Sequence, residues 1–240
     1  GTGNYNDALM QKLAQKGNGN AAFIDTINEA RKVLVEQIGG TLFTIAKDVK
    51  FQFEFNPMRV SEYRLIGYET RLLNREDFNN DKVDAGDIGA GHTVTALYEI
   101  VPVGSNGHLM DPLRYRATTP SAPTSANTGE IGFLRMRYKL PNEEQSRLIE
   151  RPVTDRDAVQ EVKRAPDDLR FAVAVAGFGQ LLRNDPYMKN FGYEQVAELA
   201  SGAKGTDTFG YRAEFVQMVR LAKSLPALPA LERPGQGESQ

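Results

Sequence analysis

Between Asn6 and Gly17, Ala8, Leu9, Leu13 and Ala14 recur near helical spacing, with Asn6 placed to cap the first turn and Gly17 to end the last. The short run Ala21-Ala22-Phe23-Ile24 reads as a strand. Asp25 or Thr26 then caps a second helix, in which Ile27, Ala30, Val33, Leu34 and Ile38 make one apolar face before Gly39-Gly40 stops it. Helix, strand, helix is the pattern at the end of an α/β unit, here with no preceding strands to complete its sheet.

At Leu42 the period falls to two. Val49, Phe51, Phe53 and Phe55 alternate with Lys50, Gln52 and Glu54, which predicts a strand with the aromatic face inward, ended by Asn56-Pro57. Val60 to Tyr68 and His92 to Val103 read as further strands, and Gly132 to Leu140 alternates less cleanly through Phe133, Met136 and Tyr138. Strands parted by Gly, Asn and Asp turns, with no helix between them, predict an antiparallel sandwich. The Pro/Ser/Thr/Ala-rich stretch Thr118 to Thr128 is expected to be a loop.

From Pro166 the period is helical again. Leu169, Phe171, Ala172, Val175, Ala176, Phe178, Gly179, Leu181 and Leu182 are apolar nearly all round, so this helix is expected to be heavily buried, with Asp167 or Asp168 in its first turn. Further helices are expected from about Tyr193 to Ala203 and from about Gly210 to Leu225, the latter carrying Phe215, Met218, Val219, Leu221 and Ala222. Pro226 to Gln240 has no periodicity and is expected to be a disordered tail.

Composition narrows the function classes. A net charge of −2 and a pI near 5.8 leave no basic surplus to neutralise a phosphate backbone, which disfavours nucleic-acid binding. No apolar run approaches the roughly 18–20 residues of a membrane helix. The chain has no cysteine, which rules out disulfides and thiolate zinc sites within it and leaves the compartment open. Its first residues, Gly1-Thr2-Gly3-Asn4, lack Met and any signal pattern, and read as an internal start with Gly1 as a cloning scar.

Long strings of residues carry a resemblance. Thr2 to Asp7, Lys16 to Gly19 and Ala22 to Asp25 look like the last part of a von Willebrand factor A (VWA) domain. Leu42 to Lys50, Tyr63 to Glu69 and Gly89 to Ile100 resemble the region that follows that domain in bacterial YfbK-like VWA proteins. Asp168 to Ala172, Phe178 to Arg183 and Gly210 to Phe215 resemble its C-terminal part. The likeness spans about residues 1–225. It implies an α+β chain: a VWA remnant (1–40), an antiparallel β-sandwich (41–150), a helical region (151–225) and a disordered tail (226–240). VWA domains bind ligands through a divalent cation held by Asp-x-Ser-x-Ser and by a Thr and an Asp from later loops. The chain contains no Asp-x-Ser/Thr-x-Ser/Thr, so no metal, cofactor-binding or catalytic residue carries over. The resemblance further implies a bacterial, extracytoplasmic parent, exported or anchored as a lipoprotein, with protein partners met through its VWA domain; self-association is left open.

Several clusters invite a chemical reading. Asp77, Asn79 and Asp81 have the alternation of early calcium-loop ligands, but Lys82 stands where the sharp turn needs glycine and Ile88 where the closing Glu belongs, so a polar turn is the better reading. His92 and His108 are the only histidines, and no nucleophile or activated base accompanies them. Gly1 to Gly3 and Gly86 to Gly91 match no phosphate-binding pattern. Arg135, Arg137 and Lys139 read as the solvated side of a half-buried strand, and Phe51, Phe53 and Phe55 as core. The expected function is therefore a non-catalytic structural or protein-interaction module. The alternative is a hydrolase or other enzyme whose site gathers residues such as Glu54, Asp77, His92 and Asp168 in space. The apolar faces of Ile27, Val33 and Leu34, deprived of a sheet, are expected to dock elsewhere on the chain or on a second copy.

Overall fold

The computed structural model describes residues 5–17, 19, 21–67, 75–83, 85–105, 129–188 and 190–225. Helices and antiparallel sheets are both present, so the fold is α+β. The chain forms two compact units that interleave along the sequence: residues up to 56, 75–94 and 129–155 build one, and residues 57–67, 95–105 and 156–225 the other. The stretches 1–4, 106–128 and 226–240, with the expected loop, His108 and the expected tail, lie outside the described residues.

The first unit opens with helix α1, Asp7–Lys16, whose start and end follow the polar pattern. The Asn6 carboxamide oxygen accepts from the Leu9 amide at 3.0 Å, and the Gly17 amide donates to the Leu13 carbonyl. Residues 21–24 form no strand, since no described strand runs beside them to supply hydrogen bonds. Thr26 caps α2, Ile27–Arg31, with its hydroxyl accepting from the Glu29 amide. A π-helical turn, Lys32–Glu36, follows, then α3, Ile38–Leu42. The Gly39-Gly40 pair therefore does not stop the helix. Its role is packing: Gly40 sits against the His92 ring, and its backbone comes so close to Gly89 that a Cβ on Gly89 would overlap the Gly40 carbonyl.

Strand β1, Thr44–Phe55, pairs with β3, Gly86–Gly89, on one side and with β5, Glu130–Lys139, on the other. Strand β6, Arg147–Thr154, closes the sheet in the order β3-β1-β5-β6, antiparallel throughout. A bulge interrupts β1 between Lys47 and Lys50, with Asp48 at φ +50°. The bulge shifts the phase of the strand. Lys47 lies opposite Lys139, then Lys50 opposite Arg137 and Phe51 opposite Met136.

Burial on this sheet departs from the expected alternation at Lys50, Phe51 and Lys139. Lys50 is only 3% exposed and Lys139 6%, whereas Phe51 is 53% exposed, and Arg135 and Arg137 are half-buried. The reason is the segment over the lysine face. A 3-10 turn, Arg75–Asn79, and the residues after it lie there, with Phe78 buried and the Arg137 guanidinium 5.7 Å from its ring centre. Phe53 and Phe55, half-buried on the opposite face, pack ring on ring at 4.6 Å.

In the second unit, β2, Val60–Ile66, pairs antiparallel with β4, Leu97–Pro102. Residues 92–96, expected to begin that strand, are not in it. Three helices follow: α4, Asp167–Leu182; α5, Tyr193–Ser201; and α6, Tyr211–Ser224. Ala174, Phe178, Val196, Ala200, Val216 and Val219 form their shared core. Leu169, Val175 and Leu182 remain exposed, so α4 buries one stripe rather than its whole circumference. That stripe carries Ala174, Gly177 and Phe178, spaced three and four residues apart.

Candidate functional site

The Asp- and Asn-rich segment 77–83 is held against the four-stranded sheet by two lysines, and its geometry starts from the bulge in β1. By breaking the alternation, the bulge leaves the Asp48 carboxylate facing Lys139, which donates to it at 2.8 Å. The other Asp48 oxygen accepts from the Ala85 amide at 3.1 Å, and the Asp48 amide donates to Asp87. Lys139 also donates to the Asp81 carbonyl at 2.8 Å. Lys50, from the neighbouring strand, donates to the carbonyls of Asp77 and Asn80. The bond to Asp48 holds the Lys139 ammonium above its ordinary pKa, against the opposing pull of desolvation. Asp81 is held below the ordinary carboxylate value, first by its bond from Ser146 and also by the charges of Lys139 and Arg137. Among the described residues, no group of three or more His, Asp or Glu side chains is arranged to hold a metal ion.

The residues considered for an enzyme site meet different neighbours. Glu54 is exposed on β1, opposite Phe133. Asp77 lies in the 3-10 turn with its carbonyl on Lys50. His92 is exposed and packs against Gly40, and its amide donates to the Gly89 carbonyl. Asp168, in the second unit, is ion-paired with Arg212.

A cavity of about 470 Å³ does occur in the second unit, where the N-terminal ends of α4 and α6 meet the loop before α6. The hydrophobic pattern gave no hint of it, because loop residues 204–209 make much of its wall. Its carboxylates are already committed. Asp207 accepts from the amides of Arg212 at 3.0 Å and Ala213 at 2.8 Å, capping α6, and Asp167 pairs with Arg170. Arg212 bonds the Ala203 carbonyl and lies 4.8 Å over the Phe171 ring. These pairs fix the loop to the helix ends.

A second ionic network joins the β2–β4 pair to the end of α4. Arg64 bridges Glu99 and Asp185 and stacks over Tyr187 at 4.4 Å. Partial burial pushes the Asp185 carboxyl upward, but bonds from Arg64, the Tyr187 amide and the Gln180 carboxamide outweigh it and leave its pKa below the ordinary value. A carboxyl with a depressed folded-state pKa stabilises the fold fully above its unfolded pKa of about 3.9, and that stabilisation is lost as pH falls through the folded value. Asp185→Asn is therefore expected to cost about 1–2 kcal/mol at neutral pH and to flatten the loss of stability below about pH 4. Urea midpoints measured across that range check it; parallel curves for the two proteins would refute it.

Residues 40–225 match the family described as "Uncharacterized protein YfbK, C-terminal". The chain belongs to that family. It is also 46% identical over 222 residues to the "Uncharacterized protein YfbK" of Escherichia coli (strain K12), a match covering 92% of this chain and 37% of the relative. The chain thus spans little more than a third of that relative's length. No solved structure matches it. The part shared with the YfbK C-terminal family takes in the sheet with its lysine-bound loop, the Arg64 network and the cavity, while α1 and α2 lie before it.

Proposed function

We propose that this chain is a non-catalytic structural or protein-interaction module of a bacterial VWA-domain protein. In this reading residues 1–40 are the end of the VWA domain and an antiparallel β-sandwich follows. The metal-ion-dependent adhesion site lies elsewhere in the parent. The observation that carries the reading is the apolar surface left open before the sheet. Ile27 is 85% and Leu34 58% exposed, Val35 and Ile38 are exposed as well, and α2 and the π-helical turn bury no residue. Apolar faces left open in this way fit the end of a VWA domain whose sheet is supplied by the rest of the parent. The committed ion pairs of Asp168, Asp167 and Arg212 agree with a structural role. An extracytoplasmic location follows from the VWA resemblance alone.

The test is a capture experiment with this chain and the full-length E. coli relative as parallel baits, each with and without EDTA. A partner held by both baits regardless of EDTA supports an interaction module in these residues. A partner held only by the longer protein, and released by EDTA, would assign binding to a metal site outside this chain and defeat the proposal.

A further inference from the structure

The loop that resembles a calcium loop is closed by two cations that belong to the protein. Three of its carbonyl oxygens, from Asp77, Asn80 and Asp81, converge on two ammonium groups, Lys50 and Lys139, as carbonyls and carboxylates converge on calcium in a metal loop. Both lysines rise from adjacent strands of one sheet and are more than nine-tenths buried. A buried ammonium is tolerated only when its donors are used and its charge is met. Here the Asp48 carboxylate meets Lys139 directly, and the depressed Asp81 carboxylate lies close enough to respond to it.

The coupling between lysines and loop is specific. The Asp77 carbonyl accepts both from Lys50 and from the Asn80 amide at 3.2 Å, and the Asn80 carbonyl both from Lys50 and from the Val83 amide at 3.2 Å. The ammonium therefore holds the same oxygens that close the loop's own turns, and polarises those bonds. Asp48 ties the far end of the loop through the Ala85 amide. The places where a metal loop would have its turn glycine and closing Glu are Lys82 and Ile88, so the ring of oxygen ligands is never completed.

The geometry points to Lys50 and Lys139 as a permanent internal cation that latches residues 77–83 and Ala85 onto the sheet, so that these residues are ordered without any metal. Amide hydrogen exchange on the whole chain tests it. The amides of Asn80, Val83 and Ala85 are expected to exchange slowly, and at the same rate in excess calcium and in EDTA. Lys50→Met and Lys139→Met should each speed those three amides on the order of tenfold or more, while Leu134 and Met136 in the sheet keep their rates. Asp48→Asn, which leaves both ammonium groups in place, should speed Ala85 more than Asn80. Calcium-dependent slowing at Asn80 or Val83 in the unmutated chain would overturn the proposal without any variant. So would methionine variants with unchanged loop exchange, or with loop and sheet loosened equally, since the lysines would then hold the sheet rather than the loop.

Discussion

Gly89→Ala is expected to destabilise the first unit by about 3 kcal/mol or more, at or above the upper end of the range for overpacking. A Cβ at this position would overlap the Gly40 carbonyl oxygen and stand 2.8 Å from the Gly40 Cα. The obstacle is backbone, so no rotamer change can make room. Either α3 must lift off β3, breaking the bond from the Ala90 amide to the Phe43 carbonyl at 2.8 Å, or β3 must leave β1. Gly86→Ala is the control: it lies on the same strand, with nothing within 4 Å of an added Cβ, and should change stability by no more than about 0.5 kcal/mol. Urea unfolding of the two variants, read as midpoint and slope, decides the matter. Equal midpoints would mean that the close approach is not a feature of the folded chain.

Phe178→Ala should cost about 3–5 kcal/mol, through the second unit. The ring is buried at the centre of the helical core, edge to face with Phe215 at 5.5 Å and with Tyr193 at 6.2 Å. It therefore joins α4 to both α5 and α6. Removing it leaves a cavity that the fully buried Val196 and Val219 cannot fill from fixed positions on those helices. Leu221→Ala, on the exposed side of α6, should cost little by comparison. Thermal unfolding of both variants gives the contrast, and a Phe178→Ala loss below about 1 kcal/mol would show that the three helices do not depend on this contact.

Much of the fold is legible in the order of the residues, and the exceptions have physical causes. The caps at Asn6 and Thr26 are local, each a side chain bonding an amide three residues on, so short-range pattern finds them. Helices α4, α5 and α6 are long enough for their apolar stripes to repeat. Strand β6 escapes because Arg147 to Arg151 are all exposed at the sheet edge, which leaves no alternation to read. Residues 21–24 have strand-forming side chains and no described partner strand, and without a ladder propensity does not suffice. Gly39-Gly40 signals a helix stop locally, while its actual neighbour, Gly89, is distant in sequence.

The candidate site follows the same division. The Asp77, Asn79 and Asp81 spacing is visible, and so are the two residues that break a calcium loop. Burial of Lys50 and Lys139 is not visible, because it depends on the bulge at Asp48 and on a loop returning over β1 and β5. The only trace is an Asp/Asn-rich segment without metal ligands to complete it. The Arg64 bridge to Asp185 likewise spans 121 positions and leaves no local signal.

The interleaving of the two units has a consequence for heredity. Each unit is assembled from three separate stretches of chain, so no single pair of breakpoints lifts either one out intact. Recombination that shuffles contiguous modules between genes would tear both. The matched family range, residues 40 to 225, accordingly runs unbroken across stretches of both units.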